Sequence, residues 1–153
     1  MSVAQASIRS AAPAELPAIL SLLRGAGLPT ADISPNSALQ VWVLQHHGAI
    51  TGAVALEGAG TDGRLLRSLV VDGAHRGCGC ARALVARVED AALAEGVMQI
   101  VLLTETAQAL FQHLGYEAIQ RSSAPANLQS TAEFRSLCPV SAVCMVKRLN
   151  SSS

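Results

Sequence analysis

The sequence predicts an α/β fold in which a mixed, twisted β-sheet carries helices on both faces. Apolar runs of strand length occur at 65–71 and 98–104. Between them, in 76–95, apolar residues recur every three or four positions, which is typical of an amphipathic helix. This succession predicts a right-handed parallel crossover. The 153 residues suffice for a core, so we expect one domain over 1–149 and a disordered tail over 150–153.

The first third of the chain predicts a strand, a helix and two further strands. Apolar residues in 13–25 lie on one face of a helix, which Gly25 ends. Two prolines and an aspartate in 28–37 predict a loop. The strands are expected at 6–10, 39–45 and 49–57, and the glycine-rich segment 58–63 connects the last of them to a strand at 64–71.

The second half predicts alternating strands and helices. The strand at 98–104 is mostly apolar, as expected for a strand covered on both faces. A short helix at 107–114 ends before Gly115, a residue suited to the left-handed backbone at a helix end. The last strands are expected at 116–120 and 141–149.

Composition and charge exclude several classes of protein. Eleven basic and eleven acidic residues give a net charge of zero, without the basic stripe that nucleic-acid binding requires. No apolar run has membrane-spanning length, and the N-terminal segment lacks the pattern of a signal peptide. We therefore expect a cytoplasmic protein with no nucleic-acid or membrane partner. The four cysteines and four histidines lack the spacing of a zinc site, so we expect no metal.

The segment 76–81, Arg-Gly-Cys-Gly-Cys-Ala, connects the strand at 64–71 to the long helix. The first N–H groups of a helix have no intrahelical partner and lie at the positive end of its dipole, so this junction can bind a pyrophosphate. Gly77 and Gly79 let the backbone approach the phosphates. The segment lacks the Gly-Lys-Ser/Thr of a P-loop. Arg82 stands where a dinucleotide-binding motif needs a small residue.

The pattern that remains, Arg-x-x-Gly-x-Gly/Ala, resembles the coenzyme A pyrophosphate loop of the GNAT superfamily of N-acetyltransferases. Upstream, 69–76 resembles the Leu-x-Val-x-Pro-x-x-Arg block of that family, with Gly73 in place of the proline. Downstream, 104–116 resembles its Asn-x-x-Ala-x-x-x-Tyr-x-x-x-Gly-Phe block. The resemblance covers most of the chain. It implies an acetyl-CoA-dependent N-acetyltransferase whose strands at 65–71 and 98–104 run parallel but splay apart.

The resemblance also implies where acetyl-CoA binds. The pantetheine arm enters the gap between the splayed strands. The backbone N–H groups of Leu69, Val70 and Val71 pair with it and polarise the thioester carbonyl. The pyrophosphate lies against the start of the long helix. The other cofactor-binding residues that the resemblance implies are Arg76, Gly77, Cys78, Gly79, Cys80, Ala81, Arg82, Ala107 and Phe111.

Phe111 departs from the family, which often has at this position a tyrosine that donates a proton to the departing thiolate. Three interpretations stay open. Water protonates the thiolate, which is a weak base because a thiol pKa is about 8.5. Alternatively a hydroxyl of Thr104, Thr106 or Tyr116 does so, or the site binds coenzyme A without catalysis. We favour the first two interpretations over the third and take Thr104 as the candidate catalytic hydroxyl.

Arg67 lies two positions before Leu69, where some members of the family carry a base. A guanidinium cannot act as a base, but it can bind a carboxylate, phosphonate or arsenic oxyanion through two parallel hydrogen bonds. Glu57 ends the preceding strand and could orient Arg67, or accept a proton from the substrate ammonium through water. The alternative is a structural Glu57–Arg67 ion pair. Ser68 is a further substrate-binding candidate, although strand alternation turns it to the other face from Arg67.

The segment 131–142 is a compact insertion before the last strand. Together with 65–69 and 103–107 it resembles the small acetyltransferases of bacterial arsenic-resistance operons. That resemblance implies acetylation of an amino-acid-like arsenical or a phosphinothricin-type compound. The alternative for each substrate-side residue is a loop residue that caps or packs. The substrate-side candidates are Thr106, Thr131, Arg135, Cys138 and Ser141.

Two other functions stay open beside transfer of an acetyl group to a small-molecule amine. A GNAT-like module that senses acyl-CoA without catalysis is favoured by Phe111. A protein N-acetyltransferase would need an open groove for a peptide, whereas the insertion at 122–140 suggests a covered site for a small molecule. The sequence leaves the oligomeric state open and is compatible with a homodimer.

Overall fold

The computed structural model describes residues 6–34, 39–73 and 79–149. Within these ranges the strands are β1 (Ala6–Ser10), β2 (Leu39–His46), β3 (Ala49–Glu57), β4 (Arg64–Val71), β5 (Gln99–Thr104), β6 (Glu117–Ile119) and β7 (Val143–Arg148). The α-helices are α1 (Leu16–Gly25), α2 (Cys80–Ala94), α3 (Gln108–His113) and α4 (Ala126–Gln129). The expected tail at 150–153 and the residues 74–78 lie outside the described part of the chain.

The strands form a sheet in the order β1-β2-β3-β4-β5-β7-β6. The pairs β1–β2, β5–β7 and β6–β7 are antiparallel, whereas β4 and β5 are parallel. The ladder between β4 and β5 joins Arg64 to Ile100 and Leu65 to Val101, a short pairing of the kind expected for strands that diverge. This mixed sheet with helices confirms the predicted α/β fold.

The chain forms two compact units, of which the first comprises Met1–Leu56 and Ser68–Val88. Here β1 and β2 pair antiparallel along the whole of β1. Helix α1 begins after a 3-10 turn at Pro13–Glu15 and buries one apolar face, because its apolar residues recur with the helical period. The core of this unit contains Ile19, Leu23, Val43, Ala53 and Val70.

The second unit comprises Glu57–Arg67 and Glu89–Ser153. Strand β5 pairs with β7 over all six of its residues, and β6 pairs with β7 on the other side. The apolar character of β5 follows from this central position, because its side chains are buried at Ile100, Val101 and Leu102. The core of this unit contains Leu65, Val101, Ala124, Leu128, Phe134, Cys144 and Val146.

Helix α2 carries the apolar face that the sequence predicts, with Leu84, Val85, Val88 and Ala92 buried. The helix begins at Cys80 in the described residues, whereas the sequence predicted a start at 76. Glycine precedes it at 79. None of the described helices has both the length and the apolarity that a membrane crossing requires.

The insertion at 122–140 contains more regular structure than the sequence predicted. A 3-10 turn at Arg121–Ser123, helix α4 and a π-helical turn at Glu133–Leu137 follow one another. These elements are too short to show an apolar period, so their pattern gave no helix prediction. Ala124, Leu128 and Phe134 nevertheless bury their side chains in the core of the second unit.

Candidate active site

Strand β4 changes its backbone conformation at Ser68, where φ is 60°. A residue other than glycine rarely adopts this left-handed conformation, and within a strand it is typical of a β-bulge. The inward and outward alternation of side chains is broken here, since Leu65, Leu66 and Arg67 are all buried. Simple alternation therefore cannot assign the direction of Ser68, contrary to the prediction. Such strained positions often occur at functional sites.

The three residues expected to pair with pantetheine follow Ser68 directly. Val70 is buried and belongs to the core of the first unit, while Leu69 and Val71 are half-buried. The strand ends as the Asp72 amide donates to the Thr51 carbonyl over 2.7 Å. The role of these amides towards pantetheine stays a prediction.

The pyrophosphate loop is described from Gly79 onward, and the candidates Arg76, Gly77 and Cys78 lie outside the described residues. Gly79 has φ of +80°, a conformation that residues with a side chain rarely adopt, and a Cβ atom there would meet no atom of the described residues within 4 Å. The carbonyl of Gly79 accepts the first hydrogen bond of α2, from the Ala83 amide at 3.0 Å. Gly79 is therefore required by the backbone conformation and leaves open space beside the helix start.

The next three residues of the loop differ in exposure. Cys80 is buried, Ala81 is half-buried and Arg82 is exposed. Neither the buried cysteine nor the small alanine offers a charged side chain to a phosphate, so the backbone amides at the helix start are the candidate donors. The exposed Arg82 can add positive charge. The predicted contacts of these residues with pyrophosphate stay predictions.

A cavity of about 170 Å³ lies in the first unit. It includes Ile33 and Ser34 of the loop expected at 28–37, together with residues of α1 and β2. Its lining is mostly apolar, so it suits an aliphatic group better than a charged one. The other lining residues are Ala11, Ala12, Pro13, Leu16, Ile19, Leu39 and Val41.

Phe111 is buried in α3, where it is 4% exposed and packs edge to face against Tyr116. The hydroxyl of Tyr116 donates a hydrogen bond to Glu89 Oε2 over 2.9 Å. Lys147 Nζ donates to the other oxygen of Glu89 over 3.1 Å and to the Leu114 carbonyl over 2.9 Å. Burial, with the charge of Glu89 and this hydrogen bond, raises the pKa of Tyr116 well above its ordinary value. Tyr116 is therefore a poor donor for a thiolate.

Two of the candidate hydroxyls lie near the junction of β5 and α3: Thr104 ends β5, and Thr106 lies in the turn that follows. The Thr104 hydroxyl oxygen accepts a hydrogen bond from the Ala107 amide over 3.0 Å, which holds the turn before α3. Its own proton is still available, because a hydroxyl donates one hydrogen bond while it accepts others. Thr106 is exposed and Ala107 is half-buried. Both threonines remain candidates for protonating a thiolate.

Arg67 is the centre of a buried ion-pair network in the second unit. Its Nη1 atom lies 2.9 Å from Glu57 Oε1, and its Nε atom lies 3.2 Å from Glu133 Oε2. The Arg67 side chain is 0% exposed, against 20% for Glu57 and 5% for Glu133. The Glu57–Arg67 ion pair, one of the two alternatives, is therefore present. Arg67 is not poised to bind a substrate anion, because two carboxylates already neutralise it.

Glu133 was missed by the sequence analysis. It is the only acidic residue of the sequence between 122 and 140, and it is buried. A signal existed: an arginine in an otherwise apolar strand needs carboxylate partners if it is buried. The sequence does not state which carboxylate approaches it, because that pairing depends on the tertiary structure.

The other substrate-side candidates of the insertion have different surroundings. The Thr131 hydroxyl donates to the Leu128 carbonyl over 2.7 Å and accepts from the Phe134 amide over 3.4 Å, so it stabilises the turn. Arg135 and Ser141 are exposed. Burial and the neighbouring, hydrogen-bonded carboxylate of Glu133 raise the pKa of the Cys138 thiol to about 12.

The described network brings Glu57, Arg67, Glu133 and Cys138 together within the second unit. Thr131 instead hydrogen-bonds within a local turn. This agrees with the alternative in which it is a loop residue that caps. Within the described residues there is no group of histidine, cysteine and acidic side chains that could hold a metal ion.

A family model described as Acetyltransferase (GNAT) domain matches residues 37–118, more than half of the chain. The match extends from just before β2 into β6 and so includes β4, α2 and α3. Among curated proteins, no sequence matches the chain significantly.

Several solved structures have a fold similar to that of this chain. N-acetylglutamate synthase from Neisseria gonorrhoeae, complexed with coenzyme A and N-acetyl-glutamate, has a TM-score of 0.79 and 21% identity over 95% of this chain. The chain spans 35% of that protein, about a third of its length.

Two further structures match along nearly their whole length. Rv2747 from Mycobacterium tuberculosis, solved in complex with CoA, has a TM-score of 0.77 and 21% identity, covering 94% of this chain and 99% of its own. A putative acyl-CoA N-acyltransferase from Klebsiella pneumoniae has a TM-score of 0.73 and 24% identity, covering 96% and 99%. At these identities the likeness supports the fold.

Proposed function

The chain belongs to the acetyltransferase (GNAT) domain family, and we propose that it transfers an acetyl group from acetyl-CoA to the amine of a small, amino-acid-like acceptor. The observation that carries this proposal is the family match over 37–118. That range includes strand β4, with its left-handed residue Ser68, and the start of α2 at Gly79, the two elements proposed here to hold acetyl-CoA.

Acetyl-CoA binds through backbone donors in this proposal. Its pyrophosphate lies at the start of α2, where the helix dipole and unpaired amides favour an anion. The amides of Leu69, Val70 and Val71 pair with the pantetheine arm and polarise the thioester carbonyl. Crystal structures of two similar proteins with coenzyme A support this co-substrate.

Glu57 is the proposed proton acceptor. The acceptor amine must lose a proton as its nitrogen attacks the thioester carbon, and a partly exposed carboxylate can take that proton through a water molecule. The side chain of Glu57 is 20% exposed. It is held by an ion pair with Arg67, whose side chain is fully buried. The departing thiolate then takes a proton from water or from the hydroxyl of Thr104 or Thr106.

The proposed acceptor class is supported by the segment 131–142 together with 65–69 and 103–107. Their resemblance to acetyltransferases of arsenic-resistance operons favours an arsenical amino acid or a phosphinothricin-type compound. Such acceptors carry an anionic group, and the exposed guanidinium of Arg135 offers a two-pronged donor for it. Ser68, Cys138 and Ser141 complete the proposed acceptor side. The N-acetyl-glutamate found in a similar structure supports the amino-acid class.

A second candidate function is a sensor that binds acyl-CoA without turning it over. Phe111 favours it, because a buried phenylalanine has no proton for the thiolate. Acetylation of a protein is the third candidate. It is less favoured, because the insertion packs Leu128 and Phe134 into the core rather than leaving an open peptide groove.

The test is a thiol-release assay with purified protein, acetyl-CoA and a panel of acceptors: the standard amino acids, phosphinothricin and arsenical analogues. Saturable thiol release with at least one amino-acid-like acceptor supports the proposal. Saturable binding of acetyl-CoA without release on any amine identifies the sensor instead. A cytoplasmic location and a homodimer belong to the same proposal, and light scattering of the purified protein tests the second.

A further inference from the structure

Arg67 is held by two carboxylates that come from different elements of the second unit. Glu57, at the end of β3, contacts Nη1 of the guanidinium, and Glu133, in the π-helical turn, contacts Nε. A guanidinium is rigid and planar, so contacts at two separate donor atoms fix both its position and its plane. Loss of Glu133 would remove the contact at Nε, one of the two that fix the plane of the guanidinium. Glu133 therefore contributes to the orientation in which Arg67 meets Glu57.

Glu133 also balances charge in the network. A nearby cation favours the ionised form of a carboxylate and weakens it as a proton acceptor. The single positive charge of Arg67 is shared between two carboxylates, and the trio carries one excess negative charge. Glu57 is the member of the trio with the largest exposed fraction, 20% of its side chain. Glu57 is therefore the carboxylate of the trio that is most accessible to a water molecule.

The fold holds Glu133 rigidly in place. Its carbonyl accepts a hydrogen bond from the Cys138 amide over 3.1 Å, which closes the π-helical turn. Its neighbour Phe134 is buried in the core of the second unit. The carboxylate of Glu133 is also one of the causes that raise the pKa of the Cys138 thiol. π-helical turns are rare and frequently occur at functional sites, which agrees with a role for the residue that this one carries.

We infer that Glu133 is a positioning residue for acetyl transfer. It acts through Arg67, which it orients and partly neutralises, and thereby positions the Glu57 carboxylate. This inference rests on the proposed function, because it concerns the proton transfer of that reaction. Glu133 itself contacts Arg67 and Cys138 rather than the reacting atoms.

The test compares Glu133→Gln and Glu133→Asp with the wild type, using acetyl-CoA and the best acceptor of the panel described above. Glu133→Gln removes the charge and should lower kcat about ten- to a hundredfold, the cost of a misplaced catalytic group. The KM for acetyl-CoA should stay within about twofold, since backbone amides bind that molecule. Glu133→Asp keeps the charge and should restore part of kcat. Glu117→Gln, an exposed carboxylate in the same unit, is the control and should leave activity unchanged.

The pH profile separates positioning from a purely structural role. The charged and titratable groups of this network are Arg67, Glu133, Cys138 and Arg121. The arginines keep their charge, and Cys138, with a pKa of about 12, stays protonated over the working range. Because Glu133→Gln removes a negative charge from this network and Glu133→Asp keeps it, the pH profile of kcat/KM should differ from wild type in Glu133→Gln and match it in Glu133→Asp.

Each outcome decides the inference. An active wild type with unchanged kcat and pH profile in Glu133→Gln overturns it and leaves the proposed function standing. If Glu133→Gln does not fold, as thermal unfolding by circular dichroism would show, Glu133→Asp decides: a lower kcat supports the inference and an unchanged kcat overturns it. A wild type that acetylates no acceptor of the panel overturns the proposed function, and the inference with it.

Discussion

The ring of Phe111 meets the ring of Tyr116 edge to face, with 5.4 Å between their centroids and 70° between their planes. Such a pair contributes about 0.5–1.5 kcal/mol beyond the burial of its area. Both rings are buried, and the Tyr116 hydroxyl donates to Glu89. Phe111 stands where the family often has a proton-donating tyrosine. Its ring is therefore a buried, packed side chain of α3.

The first prediction concerns Phe111→Tyr. The added hydroxyl enters a buried site, and if no partner accepts its hydrogen bond it costs about 1–3 kcal/mol of unfolding free energy. The melting temperature should therefore fall by a few degrees, while kcat stays unchanged or rises modestly because a proton donor has been added. Thermal unfolding and the thiol-release assay measure these quantities. A severe loss of kcat with intact acetyl-CoA binding would contradict the expectation and show that the phenyl ring packs the thioester.

The second prediction concerns Tyr116→Phe, which removes the hydrogen bond to Glu89. A hydrogen bond to a charged group contributes about 1.5–3 kcal/mol, so the variant should be less stable by roughly that amount near neutral pH. Activity should change little, since this hydroxyl is not the proton donor in our account. Urea unfolding followed by circular dichroism gives the free energy.

This difference in stability should depend on pH. The pKa of Tyr116 in the folded protein is raised above the ordinary value of 10.0, so its contribution is complete below pH 10 and declines as the pH rises further. The stability gap between wild type and Tyr116→Phe should therefore narrow between about pH 10 and 12, by up to about 1.4 kcal/mol for each pH unit. Lys147 is present in both proteins, so the difference isolates the tyrosine. A gap that stays constant over this range would show that Tyr116 has no raised pKa.

The third prediction concerns Arg67→Ala. Removal of the guanidinium leaves the carboxylates of Glu57 and Glu133 facing each other without a cation. Breaking a buried ion pair in this way costs about 3–5 kcal/mol, so the unfolding free energy should fall by about that amount. Arg67→Lys keeps the charge and should lose less, although a single ammonium cannot reproduce both contacts. If Arg67→Ala has wild-type stability and a selectively raised KM for the acceptor, this account is contradicted. Arg67 would then be a substrate-binding residue.

The sequence predicted most of the sheet, and for a physical reason. Strands β1, β3 and β4 have the predicted bounds, because apolar runs bounded by glycine or polar residues are local signals. The face of α2 was predicted from its period. The α4 helix at 126–129 and the π-helical turn were not, since neither is long enough to have a period.

The site was predictable only where it is built from local sequence. Gly79 was found from its motif, and its left-handed conformation agrees with the need for glycine. The Glu57–Arg67 ion pair, one of the two alternatives left open, could be foreseen because the segment 58–63 connects their strands. Glu133 approaches Arg67 through tertiary packing, which leaves no local signal. The left-handed conformation of Ser68 was also missed, because serine in a strand gives no indication of it.

The central claim is that the start of α2 binds the pyrophosphate of acetyl-CoA. Isothermal titration calorimetry with wild type, Gly79→Glu and Gly79→Asn tests it most directly. Asparagine tolerates the left-handed backbone at 79 and adds no charge, so it is the matched control. The account predicts binding to the wild type, weakened binding at most for Gly79→Asn, and none for folded Gly79→Glu, whose carboxylate repels the phosphates. Wild-type affinity in Gly79→Glu, or no heat with the folded wild type, would contradict the claim.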